Sequence, residues 1–233
     1  MPPVFALTAN DHPGTRLGGA LLREAWGGAI PAGLSACAIG AAHGDDPARM
    51  RRVSRDRERA LGGPCAAPFL TDPDLDRAAA RAAIEGADLL YFDGGDTLAI
   101  VAAAEARGLR DAFRRAAGRA RVVFGLSAGA AVASACTNAW DEAGELARIE
   151  PCLDLGVPWP VDVHDETDDW PEARTLLELL ARDGRLDPAV LVIPTGGAVL
   201  IGSDGRARSR GRARAELRRL DARGAWRLEA LPD

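Results

Sequence analysis

The chain has 233 residues, is 47% hydrophobic and 27% charged, and carries a net charge of −5, which suits one α/β domain spanning residues 1–233. No apolar run is long enough to cross a bilayer and no leader is read at the N-terminus, so a cytoplasmic protein without a membrane partner is expected. The acidic balance gives no general attraction to nucleic acid, and with every one of the 29 basic residues an arginine, lysine nucleophiles and Schiff bases are excluded.

Cys37, Cys65, Cys136 and Cys152 form no C-x-x-C pair and read as reduced structural thiols. His12, His43 and His164 lie far apart in the chain with no metal-binding spacing, so neither a metal nor another cofactor is expected.

In chain order, "VFALTA" (4–9) reads as a buried strand, "NDHPG" as a turn and residues 15–26 as an apolar-faced helix. "SACAIGAAHGDD" (35–46) supplies a second strand. An arginine-rich helix with a glycine stop follows, and "CAAPFL" (65–70) reads as a third strand. Residues 72–87 form an alanine-rich helix leading into the strand "DLLYFDGGDT" (88–97), which breaks at paired glycines. One or two helices follow, then the strand "RVVFG". This alternation predicts an α/β fold, a doubly wound and mostly parallel sheet with helices on both faces, with functional groups at the strands' carboxyl ends.

Past residue 136 the chain is rich in Pro, Trp and acids and has little periodicity. "TLLELLARDG" restores a helix, and "AVLVIP" and "AVLIG" read as strands. Arg206, Arg208, Arg210, Arg212 and Arg214 then alternate as on one solvated strand face. Trp140, Trp159 and Trp170 suit either a pocket wall or lid, or the packing of a long loop on the core. Should a homodimer form, this apolar surface is the expected interface.

The segment "RVVFGLSAGAAVASA" (121–135) places Ser127 between Gly125 and Gly129 where a strand pattern becomes a helix pattern. In G-x-S-x-G the glycines remove side chains that would clash on a tight turn, which exposes the hydroxyl as a nucleophile. The helix expected from Ala128 adds backbone N–H groups where an oxyanion would form. A helix-capping serine is the alternative. For a base, His12 and His43 follow strands, while His164 lies 37 residues past the serine in "VDVHDETDD". The residues alone do not choose among them.

The ordered series "FDGGDT", "RGL", "VVFGLSAGAAVAS" and D-x-H resembles the peptidase E (aspartyl dipeptidase) and cyanophycinase family of serine peptidases, from about the second strand to "AVLIG". The resemblance implies a fold like class I glutamine amidotransferases, with Ser127 as nucleophile, His164 as general base, and an oxyanion hole from the Gly94–Gly95 turn and Ala128. The chain departs from the family pattern at Asp96, where asparagine is expected, and at Thr195, where a glutamate is expected. An acid shortly after the nucleophile has a role in aspartyl dipeptidase, and Asp141, with Glu142 as its rival, stands there.

Asp165, Glu166, Asp168, Asp169 and Glu172 crowd the segment after His164. They read either as a wall that repels aspartyl substrates and attracts a cationic peptide or amide, or as a solvated loop and helix start. The expected activity is hydrolysis of a small peptide or amide through an acyl-enzyme. The alternatives are a catalytically silent small-ligand-binding homologue and amidotransferase-like acyl transfer.

Overall fold

The computed structural model describes residues 3–140, 147–184, 188–221 and 223–233. In chain order the elements are β1 (Val4–Thr8), α1 (Arg16–Ala25), β2 (Ala36–Ile39), α2 (Pro47–Leu61), β3 (Cys65–Ala66), α3 (Arg77–Glu85) and β4 (Leu89–Phe92). They continue with α4 (Thr97–Ala106), α5 (Arg110–Ala117), β5 (Val122–Leu126), α6 (Ala128–Ala131), β6 (Cys136–Trp140), β7 (Ala147–Pro151) and β8 (Val161–Val163). The last are α7 (Pro171–Arg182), β9 (Ala189–Ile193), β10 (Gly197–Ile201), β11 (Ala207–Gly211), β12 (Glu216–Leu220) and β13 (Trp226–Ala230).

A seven-stranded sheet runs β11-β10-β1-β5-β4-β2-β3. Its β1, β5, β4, β2 and β3 are parallel, while β10 and β11 add an antiparallel edge. Both faces are buried, so the strands read as continuous apolar runs whose alternate residues enter different cores. On β4, Leu90 and Phe92 join the core under α3, α4 and α5, whereas Leu89 and Tyr91 join the core under α1 and α2. The helices leaving β2 and β4 therefore lie on opposite faces, which opens a crevice between the carboxyl ends of these two neighbouring strands. This is the predicted α/β, doubly wound architecture.

A second sheet, β13-β12-β9-β8, and a β6-β7 hairpin lie beyond it. Helix α7 packs Ala173, Leu176, Leu177 and Leu180 against Val190 and Val192 of β9. The segment expected to be irregular after residue 136 thus contributes three strands.

Three expected elements are shorter than their patterns suggested. The strand over 65–70 is only Cys65–Ala66, because Pro64 and Pro68 lack the N–H that a ladder needs. The helix expected after Ser127 is only Ala128–Ala131, so what it offers the turn is N–H groups and not a helix dipole. The arginine alternation does not lie on one strand face: β11 ends at Gly211, where φ is +97°. A Cβ on Gly211 would approach the Gly196 oxygen to 2.4 Å, so the chain turns there on glycine. Arg210 pairs with Glu24, and Arg214 with Asp233.

The tryptophans divide. Trp170 is buried beneath the Arg218 guanidinium, Trp159 packs against the core, and Trp140 is exposed. No helix among the described residues is long and apolar enough to cross a membrane.

Phe113 of α5 is fully buried with its ring centroid 5.5 Å from that of Phe92 at the end of β4. Phe113→Ala should cost about 3–5 kcal/mol through lost burial and the cavity left behind, measured by chemical denaturation.

Candidate active site

The site is assembled where the two larger sheets meet. Strand β5 delivers Ser127, whose N–H donates to the Thr8 carbonyl at 2.9 Å, and its backbone is held at φ +52° and ψ −120°. A non-glycine residue rarely adopts such a conformation, and it persists only where its surroundings impose it. The flanking glycines are sterically required. A Cβ on Gly125 would lie 2.4 Å from the Gly129 oxygen, and one on Gly129 would lie 2.2 Å from the Phe92 oxygen.

From the second sheet, His164 follows β8, its N–H bonded to Ile193 O at 3.0 Å and its φ at +48°. Its Nε2 lies 2.8 Å from Ser127 Oγ. The other two histidines are engaged elsewhere. His12 Nδ1 accepts from the Gly14 N–H, and His43 Nε2 contacts Asp93.

The Gly94–Gly95 turn passes beside the serine. A Cβ on Gly94 would lie 3.2 Å from Ser127 Cβ, and Gly95, at φ +139°, leaves no room for one, with Ala42 O 2.3 Å away. The Gly94 N–H is spent on Asp93 Oδ1 at 3.0 Å. The N–H groups of Gly95 and Ala128 make no hydrogen bond among the described residues.

Of the remaining expected site residues, Asp96 caps α4, its Oδ1 accepting from Leu98 N at 2.8 Å and Ala99 N at 3.1 Å. Its carboxylate is therefore occupied at a helix start and is not among the groups lining the cavity described below. Thr195 donates its backbone N–H to Glu166 Oε1 at 3.1 Å. Glu166 is partly desolvated, but hydrogen bonds from Thr195 and the nearby His164 outweigh this and hold its carboxyl below the usual range. Asp141 and Glu142 lie outside the described residues.

A cavity of about 170 Å³ opens on Ser127 and is lined by Gly95, Ala128, Asn138, Asp162 and Glu172 among others. Asp162 Oδ1 accepts from Val163 N and Oδ2 from Ala173 N. Burial, with the charges of Glu172 and Asp165, pushes its carboxyl up to about 7. Glu172 is likewise raised by desolvation and by Asp165. Asp169 belongs elsewhere, held by Arg218 at 3.0 Å and by Arg174. The acidic segment thus divides: Asp169 is neutralised, whereas Glu172 lines the cavity and Asp165 acts on its carboxyls.

Asp162 and Asp93 were not assigned site roles from the sequence, and Glu166 was read only as part of the acidic wall after His164. For Asp162 a signal existed, since a carboxylate two residues before a candidate base on a short strand faces the same side as that base. Among the described residues no cluster of three or more His, Cys, Asp or Glu side chains is arranged to hold a metal ion.

Residues 70–155 match the model of peptidase family S51. No curated protein matches the chain. A crystal structure of a peptidase from an acI-B1 actinobacterium superposes with a TM-score of 0.69 at 16% identity, covering 98% of this chain and 97% of that one. The putative peptidase E of Listeria monocytogenes EGD-e superposes with a TM-score of 0.61 at 14% identity, covering 91% and 99%. At these identities the structural likeness speaks for the fold alone, and the family match speaks for residues 70–155. The segment that carries the Gly94–Gly95 turn and Ser127 is thus similar to peptidase family S51, and the chain as a whole shares the fold of these two structures.

Proposed function

We propose that this protein cleaves short peptides or amides by nucleophilic attack of Ser127, with His164 as general base. The observation that carries the reading is the 2.8 Å contact of Ser127 Oγ with His164 Nε2, within the range for proton transfer from a nucleophile to its base. His164 takes the hydroxyl proton as Oγ bonds to the substrate carbonyl carbon. The carbonyl oxygen becomes an oxyanion, for which the unpartnered N–H groups of Gly95 and Ala128 are the donors. The imidazolium returns its proton to the leaving amine, and water then hydrolyses the acyl-enzyme with His164 again as base. Glu166 lies close enough to His164 for the imidazole to lower its carboxyl pKa. Ser127 comes from one sheet and His164 from the other, so we take the sheets as parts of one hydrolytic unit.

The substrate we infer is small and carries a cationic group beside the scissile bond. The cavity of about 170 Å³ has the volume of roughly five or six waters at ~30 Å³ each, enough for a single side chain. Among the described residues its wall carries the carboxyls of Asp162 and Glu172 and no arginine, so a basic group, whose charge would draw the proton off Asp162, is favoured there over aspartate. Neither carboxylate has a salt-bridge partner among the described residues.

A panel of dipeptides with acidic, neutral and basic N-terminal residues tests this. Basic residues should give the highest kcat/KM, by about tenfold or more over aspartate, and Ser127→Ala should lose about 10⁴-fold or more in kcat. Preference for aspartate would overturn the charge assignment alone. Turnover that survives Ser127→Ala, or no turnover and no covalent labelling by a fluorophosphonate, would overturn the peptidase mechanism.

Asp162 also predicts a pH effect. A carboxyl with a raised pKa in the folded protein holds its proton there but loses it in the unfolded chain. Its contribution therefore favours folding at low pH and is lost as pH rises from about 4 to about 7. Asp162→Asn removes this dependence, so the Tm of the variant should gain on that of wild type by a few degrees across the interval. A constant Tm difference from pH 4 to pH 7.5 would contradict the assignment.

A further inference from the structure

Asp93, at the end of β4, is 3% exposed and makes no direct contact with Ser127 or His164. Burying a carboxylate costs several kcal/mol unless hydrogen bonds and opposite charge compensate it, and here four groups do so. Tyr91 Oη and the Gly94 N–H donate to Oδ1 at 2.8 and 3.0 Å, and His43 Nε2 and Arg49 Nε lie 3.1 and 3.3 Å from Oδ2. Burial raises the carboxyl, but the Tyr91 bond, the Arg49 charge, the Gly94 N–H and His43 together outweigh it, and Asp93 stays below the usual range.

The cluster joins the end of β4 to the loop after β2 and to α2, and backbone bonds tie the Gly94–Gly95 turn at both ends. Asp93 N donates to Ile39 O at 3.0 Å and Asp96 N to Ala42 O at 2.8 Å, so the loop after β2 braces the turn from the side opposite Ser127. Between these ties, the Gly94 N–H is turned down onto Asp93 and the Gly95 N–H is left without an acceptor.

We propose that Asp93 is the positioning residue of the oxyanion turn: by holding the Gly94 N–H, it fixes the peptide plane that aims the Gly95 N–H at the substrate oxyanion, with Arg49 balancing its charge. This rests on the peptidase reading above and deepens it. Donors placed before the substrate arrives need no reorganisation as charge develops, which is where such sites gain most of their effect. A negative charge beneath an oxyanion would be harmful by itself. The Arg49 guanidinium on the same carboxylate offsets it.

The test compares Asp93→Ala, Asp93→Asn and Arg49→Gln for dipeptide kcat and KM and for the rate of Ser127 labelling by a fluorophosphonate, with Tm as a check on folding. Asp93→Ala frees the Gly94 N–H and should lower kcat and the labelling rate together by about 30- to 100-fold, with KM within threefold. Asp93→Asn retains an oxygen for Gly94 and Tyr91 and should recover kcat to within about tenfold of wild type. Arg49→Gln, at a half-exposed position where folding is not at stake, should lower kcat about five- to tenfold at unchanged KM. Asp93→Ala with wild-type kcat and labelling would overturn the positioning role while leaving the peptidase reading intact, as would equal losses in the Ala and Asn variants. If Asp93→Ala does not fold, wild-type kcat in Arg49→Gln overturns it. If wild-type protein neither turns over peptides nor is labelled at Ser127, the peptidase reading fails and the positioning role falls with it.

Discussion

The strained backbone at Ser127 is the constraint from which the rest of the site follows. A φ of +52° on a residue with a side chain costs of order 1–3 kcal/mol, and this chain sustains it by packing the turn with nothing larger than hydrogen on either side. Gly125 lets the chain pass under Gly129 and Ala130, and Gly129 sits against the Phe92 carbonyl. The hydrogen bond from Ser127 N to Thr8 O anchors the turn to β1. What results is a hydroxyl standing off the sheet while its backbone stays locked to it, which in the proposed mechanism keeps the entropy of aligning Oγ out of the reaction step.

The second consequence is that the site sits between two sheets and cannot be completed by either. The parallel sheet supplies Ser127 and the Gly94–Gly95 turn at its carboxyl end, where a doubly wound fold leaves its crevices. The smaller sheet supplies His164 and Asp162 from β8 and the loop after it, and α7 closes the cavity with Glu172. The charges follow the same division. Under the Gly94–Gly95 turn a buried carboxylate is neutralised by Arg49 and surrounded by donors, whereas beside Ser127 carboxyls are buried or crowded with no cationic partner among the described residues. Carboxyl groups without a cationic partner beside Ser127 are the ground on which a basic substrate is proposed.

What could be read from the sequence and what could not separates along physical lines. The elbow was legible because its logic is local: two glycines four residues apart at a strand-to-helix change are needed by short-range sterics alone. The alternation of strands and helices was legible for the same reason, as every apolar run on β1, β4 and β5 is buried on both faces. His164 was singled out by resemblance and not by its own surroundings, because what pairs it with Ser127 is the β8–β9 register, Val163 against Ile193. The Asp93 cluster joins residues from 43 to 94 and can be seen only once β2 and β4 are neighbours. Asp96 could have been read better: an aspartate before "TLAIVAAA" is a helix N-cap signal, and its carboxylate is used that way. The length of α6 was overestimated because alanine favours helix anywhere, while the turn back into β6 is imposed by packing.

The account stands or falls on whether an oxyanion bound to Ser127 meets the two backbone N–H groups, of Gly95 and Ala128, that have no partner among the described residues. A crystal structure of the protein inactivated by a small fluorophosphonate measures this directly. The account predicts phosphorus bonded to Ser127 Oγ and one phosphonyl oxygen at about 2.7–3.1 Å from both Gly95 N and Ala128 N. An adduct on another residue, or a phosphonyl oxygen turned to solvent with both N–H groups unused, would contradict it.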